Sequence, residues 1–144
     1  MRAAAARLKI ELVELQVASE DEFGAAFDTI AQRGAGGLLV CADPYFNSRR
    51  AKLVAMAAER KVQTIYEFRE FAAAGGLVSY GTNLVDAYRQ IGIYAGRVLK
   101  GEKPADLPVL RPTQFELVFN LKAAAALGIE IPANMLARAD TVIE

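Results

Sequence analysis

The stretch that decides the fold is Thr64–Asn83, TIYEFREFAAAGGLVSYGTN. A short apolar strand leads into an aromatic and charged turn, a few helical residues follow, and a double glycine precedes a second strand. On both sides of this stretch, apolar runs of strand length alternate with segments whose apolar residues recur at helical spacing. The alternation predicts an α/β fold, in which right-handed crossovers connect the strands of a parallel sheet with helices on both faces.

The N-terminal part of the chain predicts two helices around one strand. Residues 2–8 are rich in alanine and predict a helix, and Ile10–Val17 is rich in β-forming residues and predicts a strand. Ser19 and Glu22 have the spacing of a capping box, which indicates that a second helix begins there. That helix is expected to end near Gly34, where glycine can adopt the left-handed conformation.

The rest of the chain continues the alternation. Gly37–Ala42 is apolar throughout and predicts a parallel strand covered on both faces, with Cys41 in the core. After Gly101, three prolines predict an extended connector. The other predicted strands are Val62–Tyr66, Leu77–Tyr80 and Phe115–Asn120, and the other predicted helices are Asn47–Arg60, Phe68–Ala74, Leu84–Lys100, Leu121–Leu127 and a last turn near Met135.

Composition narrows the possible functions. The 144 residues are 53% hydrophobic, which suits one domain with a core, and the 17 basic and 17 acidic residues cancel, so no net charge recruits nucleic acid. The chain has no histidine and a single cysteine, which removes histidine-based catalysis, most zinc sites and an internal disulfide. Gly75-Gly76 lacks the lysine and hydroxyl of a phosphate loop. The sequence therefore predicts no catalytic site, no metal and no cofactor.

Three strand ends carry the candidate binding residues. In open α/β sheets, ligands collect at the carboxyl ends of the strands. A small zwitterion would suit these ends, because arginine can hold a carboxylate and an aromatic ring can cover an apolar body. The candidate ligand-binding residues are Asp43, Tyr45, Phe46, Tyr66, Phe68, Arg69, Ser79 and Tyr80.

Several of these candidates also have a structural interpretation. Asp43 precedes a proline and is as readily a turn former. At least one of Tyr66 and Phe68 is expected in the core, and Arg69 can form a surface ion pair with Glu67. Ser79 and Tyr80 lie between glycines, where the backbone can approach a ligand closely, which favours them over the other candidates.

The order of these pieces resembles a known family. Thr64–Asn83, the helix ending in LKGEKPADLPV and the segment PTQFELVFNLKAAAALGIEIP together resemble the C-terminal part of the substrate-binding proteins of ABC importers, of the tryptophan and tyrosine type. Such proteins have the periplasmic-binding-protein type I fold, with two lobes and the ligand between them. The resemblance, from about Leu8 to Glu144, implies that the chain is the second lobe, truncated at its N-terminus.

The resemblance also implies a division of the chain. Residues 1–74 would be the α/β core of the second lobe, residues 75–103 a crossover strand and helix that pack on a first lobe, and residues 104–144 a return strand and C-terminal segment. The helix Leu84–Lys100 has an apolar stripe that the first lobe would cover. Without that lobe, the chain is expected to fold the helix onto itself, to dimerise or to remain partly unfolded.

The expected function follows from the resemblance. It implies a solute-binding component of an ABC importer, which closes around a small molecule, with an amino acid among the options, and contacts permease subunits. The longer parent would lie in the periplasm or on the cell surface as a lipoprotein, whereas this chain shows no signal sequence and would stay in the cytoplasm if expressed as it stands. The alternatives are the ligand-sensing half of a repressor and a small α/β enzyme, although no DNA-binding helix-turn-helix or nucleophile elbow is present.

Overall fold

A computed structural model describes all residues from Met1 to Glu144. The chain divides into two compact units, Met1–Gly36 and Gly37–Glu144, and each is described by itself.

The first unit contains two helices. Helix α1 spans Arg2–Leu8 and helix α2 spans Glu22–Gln32, and both were predicted. The Arg2 guanidinium donates two hydrogen bonds to the Glu14 carboxylate, at 2.6 and 2.5 Å. Helix α2 ends as predicted, with Gly34 in the left-handed region at φ 62°. Phe23, Phe27 and Ile30 are the buried residues of this helix.

Two predictions for this unit are wrong. Ile10–Val17 carries no regular structure and belongs to none of the strands, since the unit has no second extended segment to supply a ladder of hydrogen bonds. The capping box does not form at Ser19, because α2 begins three residues later, after Asp21. Instead the Glu22 carboxylate accepts a 2.8 Å hydrogen bond from the backbone N–H of Ala18.

The second unit contains a five-stranded sheet. The strands follow one another in space in the order β1-β2-β3-β4-β5, and every neighbouring pair is parallel except β3 and β4. The strands are β1 Leu38–Leu39, β2 Thr64–Tyr66, β3 Val78–Thr82, β4 Phe115–Asn120 and β5 Thr141–Ile143, and the helices are α3 Pro44–Ser48, α4 Arg50–Glu59, α5 Arg69–Ala73, α6 Leu84–Leu99, α7 Leu121–Leu127 and α8 Ala133–Leu136, with a 3₁₀ turn at Pro104–Asp106.

The sheet is mostly parallel, as predicted, and the β3–β4 pair is its one antiparallel pair. The chain leaves the sheet at Thr82, runs through α6 and the connector, and returns at Phe115, which pairs directly with Thr82. When the chain leaves the sheet and re-enters it at the same end, the two strands are antiparallel. When it crosses to the opposite end before it re-enters, they are parallel. The excursion of residues 84–114 is therefore joined to the sheet through a narrow neck, which the hydrogen bond from the Asn83 N–H to the Gln114 carbonyl closes.

The core of this unit lies under helix α5. Tyr66, Ser79 and Val118 are register partners on one face of the sheet, and each is at most 1% exposed. The Phe71 ring stacks on Tyr66 with 4.6 Å between ring centroids. The buried Asn120 side chain donates a 2.9 Å hydrogen bond to the Ala72 carbonyl, which ties β4 to the same helix.

The edge strand β1 differs from its prediction. The paired segment is two residues long, Leu39 is exposed, and Cys41 is exposed as well. The prediction of a strand covered on both faces, with Cys41 in the core, is therefore wrong, because burial alternates here: Val40 is buried, whereas Leu39 and Cys41, on the opposite face, are exposed. The predicted helix Asn47–Arg60 is also two helices, with a break at Arg49. Strand β5 was not predicted at all.

Helix α6 has no buried residue. Its exposed apolar side chains include Val85, Tyr88, Ile91 and Leu99. The connector runs along the helix, since the Tyr94 hydroxyl donates a 2.6 Å hydrogen bond to the Pro108 carbonyl. At the C-terminal end, the Arg97 guanidinium donates two 2.5 Å hydrogen bonds to the Glu102 carboxylate. The excursion is thus held together by its own contacts, and its apolar stripe faces outward.

We expect Gly81→Ala to destabilise the chain. An added Cβ would lie 2.2 Å from the Glu67 carbonyl oxygen, so the backbone must shift, at a cost of about 1–3 kcal/mol. The matched control is Gly92→Ala, inside α6 with no atom within 4 Å of the new Cβ, which should be neutral or stabilise by about 0.5–1 kcal/mol. Urea unfolding of both variants measures the difference, and equal stabilities would contradict the close contact at Gly81.

Candidate functional site

The candidate site lies at the strand edge, which is the end of the second unit's sheet where strands β1, β2 and β3 terminate. Strands β1, β2 and β3 are parallel and end at this edge, and β4 begins there because it runs antiparallel to β3. The turn after β1 carries Asp43, the segment after β2 carries Phe68 and Arg69, Asn83 follows β3, and Glu116 lies near the start of β4. Carboxyl ends of parallel strands are where α/β sheets bind ligands.

Glu116 connects three elements at this edge. Its Oε2 lies 3.6 Å from the Arg69 guanidinium at the start of α5, and its Oε1 accepts a hydrogen bond from the side-chain amide of Asn83. The side-chain amide oxygen of Asn83, Oδ1, accepts a 2.9 Å hydrogen bond from the Asp86 backbone N–H and so caps α6. The Glu116 side chain is 20% exposed and that of Arg69 45%, so both reach solvent.

Gly81 makes this arrangement possible. It pairs with Glu116 across the β3–β4 ladder, so both residues face the same side of the sheet. Because Gly81 has no side chain, the backbone of Glu67 lies directly on it, and the turn that follows brings Arg69 across β3 to β4. The predicted pairing of Arg69 with Glu67 is corrected here, since the salt-bridge partner of Arg69 is Glu116.

The turn after β1 holds the other predicted group. The Asp43 carboxylate accepts a 2.7 Å hydrogen bond from the Tyr45 N–H, which makes Asp43 the N-cap of α3. The Arg49 guanidinium lies 3.7 Å from the centroid of the Tyr45 ring, and the Phe46 ring meets the Tyr45 ring edge-on at 6.0 Å. The structure thus gives Asp43 a turn-forming role. A ligand contact by Asp43, Tyr45 or Phe46 stays a prediction.

Two predicted site residues lie in the core. Tyr66 and Ser79 are each 1% exposed and pair across β2 and β3, so neither side chain reaches the edge in this structure. Burial raises the pKa of the Tyr66 hydroxyl to about 12, against a smaller lowering by its hydrogen bond with Thr64. The Ser79 hydroxyl is buried without a hydrogen-bond partner. The glycines on either side let the backbone lie close to Tyr66 and Glu67, and a close approach to a ligand stays a prediction.

Tyr80 and Phe68 remain at the surface. Tyr80 is exposed and stacks on Phe115 at 6.0 Å, on the face of the sheet opposite to Glu116, because neighbouring strand residues point to opposite faces. Phe68 is partly buried and immediately precedes α5. The edge therefore groups Arg69 with Asn83 and Glu116, and separates Tyr80 from them. The sequence did not single out Glu116, since only the register of β3 and β4 brings it beside Arg69.

The matches to known proteins agree with this architecture. The sequence matches the family described as ABC transporter substrate binding protein over residues 1–143. The chain belongs to that family. Members of it are solute-binding proteins rather than enzymes, as predicted. A search among curated proteins finds no significant match.

Three solved structures share the fold of this substrate-binding protein. A conserved domain protein from Vibrio cholerae has a TM-score of 0.89 at 26% identity and covers 98% of this chain and 47% of its own. The ABC domain from Streptococcus pneumonia, in complex with L-Trp, has a TM-score of 0.88 at 28% identity, and the match covers 98% of this chain and 48% of that structure's chain. A ligand-free, open substrate-binding protein with adhesive properties from Clostridium difficile has a TM-score of 0.67 at 22% identity and covers 99% and 47%.

The family match confirms the predicted family, and the structural likenesses confirm the predicted α/β class of fold. The chain spans about half the length of the solved structures that it matches. None of its helices is both long enough and apolar enough to cross a membrane.

Replacing Tyr66 by phenylalanine is expected to change the alkaline stability of the chain. In the unfolded chain the hydroxyl ionises near pH 10.0, but in the fold only near pH 12, so the fold loses stability as the pH rises between these values. The loss should reach about 1.4 kcal/mol by pH 11, approaches about 2–3 kcal/mol only above pH 12, and should be absent in Tyr66→Phe. Urea unfolding from pH 8 to 11 measures it, with Tyr88→Phe at an exposed position as the control. Parallel pH curves for wild type and Tyr66→Phe would contradict the burial of this hydroxyl.

Proposed function

We propose that this chain is part of the solute-binding component of an ABC importer and contacts a small molecule at the strand edge that carries Arg69 and Glu116. The observation that supports the proposal is the grouping of charged and hydrogen-bonding side chains at the carboxyl ends of the strands in a member of this family. The L-Trp held by the Streptococcus structure makes an amino acid the first candidate ligand.

The proposed mechanism is closure around the ligand. The matched structures have about twice the length of this chain, which leaves room for a second lobe on the other side of the ligand. A ligand that contacts both lobes stabilises the closed form by its differential affinity for that form. We propose that permease subunits recognise the closed form and that the whole protein works outside the cytoplasmic membrane, in the periplasm or at the cell surface.

The two alternatives have less support. A ligand-sensing half of a repressor would share the two-lobed plan, and a small α/β enzyme would share the sheet. The family match favours a solute-binding protein over both. A role in sensing would require a partner domain that binds DNA, and a role in catalysis would require a nucleophile and a base at the strand edge.

Amino-acid binding by the 144-residue chain is expected to be weak and confined to the strand edge. One side of the ligand stays in water when a single lobe is present, so we expect millimolar affinity or weaker. NMR titration with L-tryptophan, L-tyrosine and L-leucine should shift the amide resonances of residues 67–69, 82–83 and 115–116. Arg69→Gln should weaken the effect, and Arg111→Gln, on the exposed connector, is the charge-matched control. Micromolar affinity would contradict a shared cleft, and shifts confined to other residues would contradict the proposed site.

We propose that the exposed stripe of α6 packs on another folded body in the whole protein. Residues 75–103, which include this helix, would then be the part of the chain that contacts the first lobe. If about five large side chains gain cover there, the contact is worth roughly 7–15 kcal/mol as an upper limit. In the isolated chain the same stripe supports self-association.

A substitution in the stripe should therefore reduce self-association. Ile91 and Ile93 are 62% and 44% exposed, and their spacing of two residues puts them on opposite sides of α6. Sedimentation velocity over a range of concentrations should show dimers of the wild type and of Ile93→Glu, but monomers of Ile91→Glu. A wild type that stays monomeric at high concentration would contradict self-association, and equal effects of both substitutions would contradict an interface on one side of the helix.

A further inference from the structure

We infer that Glu116 is the acceptor for the ligand's ammonium group, so that Arg69 and Glu116 together recognise the head group of an α-amino acid. This inference rests on the proposed function and assigns a role to a residue that the sequence did not single out. An α-amino acid carries its carboxylate and its ammonium group on one carbon atom, so a site for it needs opposite charges side by side. Arg69 and Glu116 provide them at the strand edge.

The geometry of the ion pair leaves both partners available. The shortest contact between the Arg69 guanidinium and Glu116 Oε2 is 3.6 Å, which is longer than a hydrogen bond. A guanidinium has five N–H donors in a fork that matches a carboxylate, so Arg69 can hold a ligand carboxylate bidentately while it stays beside Glu116. Each carboxylate oxygen of Glu116 can accept two hydrogen bonds, so an ammonium group can be added to its present partners.

Asn83 fixes the direction in which Glu116 points. Its side-chain oxygen Oδ1 caps α6 by accepting a hydrogen bond from the Asp86 N–H. The N–H₂ group of the same side-chain amide is left to donate to Glu116 Oε1. The carboxylate is therefore held on one side by the neck and faces Arg69 on the other side. A carboxylate that is positioned in this way loses little conformational entropy when it accepts an ammonium group.

A purely structural ion pair is the competing interpretation. Exposed pairs of this kind contribute about 0–1 kcal/mol to stability. In that case Glu116 would serve to hold α5 to β4, and its removal would change stability but not the choice between ligands. The two interpretations differ in ligand selectivity, which makes selectivity the quantity to measure.

The experiment compares three probes that share an indole ring. L-tryptophan carries both charged groups, indole-3-propionate lacks the ammonium group and tryptamine lacks the carboxylate. We expect the wild-type chain to bind L-tryptophan at least fivefold more tightly than either analogue, as measured by NMR titration. Glu116→Gln keeps an oxygen acceptor for Asn83 but removes the charge, so it should weaken L-tryptophan binding about tenfold and leave indole-3-propionate unchanged or tighter. Glu59→Gln, on the exposed end of α4, is the matched control and should behave as the wild type.

The outcomes separate this inference from the proposed function. Binding of L-tryptophan with equal affinity by wild type and Glu116→Gln would overturn the role of Glu116 and leave the proposed function standing. Wild-type affinity for indole-3-propionate equal to that for L-tryptophan would do the same without any variant, so the test does not depend on the folding of Glu116→Gln. Failure of all three probes to bind the wild type would overturn amino-acid recognition itself, and the role of Glu116 with it.

Discussion

The close packing of the Glu67 backbone on Gly81 is the contact on which the strand edge depends. Any side chain at position 81 would separate the turn after β2 from β3. With glycine there, the turn crosses β3 and places Arg69 beside Glu116 on β4. The same short region also contains the neck, where Thr82 pairs with Phe115 and Asn83 both caps α6 and holds Glu116. One missing side chain thus sets the spacing of the turn, the neck and the charged pair.

The architecture explains why charge gathers at this edge. Three strands end here, and β4 and β5 begin here, so five connections to the strands lie within a narrow strip of surface. Turns tolerate polar residues because water or side chains can satisfy their backbone groups, whereas the middle of the sheet is covered by α5 and carries Tyr66, Ser79 and Val118. The turns can therefore change while the core is kept.

The sequence predicted the helices and strands better than it predicted their partners. Local signals were sufficient for α7, where Asn120 caps the start and Gly128 ends the helix at φ 69°, and for β4, whose bounds are as predicted. The pairing of strands was predicted less well. Ile10–Val17 has the composition of a strand but pairs with no other strand. Cys41 follows an edge strand whose composition is typical of a core strand. Glu116 could not be found, because its position beside Arg69 follows from the register across Gly81 rather than from any spacing along the chain.

The exposed thiol of Cys41 has a practical consequence. It is the only cysteine of the chain, and it lies in the strand-to-helix turn two residues before the N-cap of α3. A maleimide dye would therefore attach at one defined place, close in sequence to a turn on the edge that carries Arg69 and Glu116. The fold already contains the single anchoring point that a fluorescent reporter of solute occupancy requires.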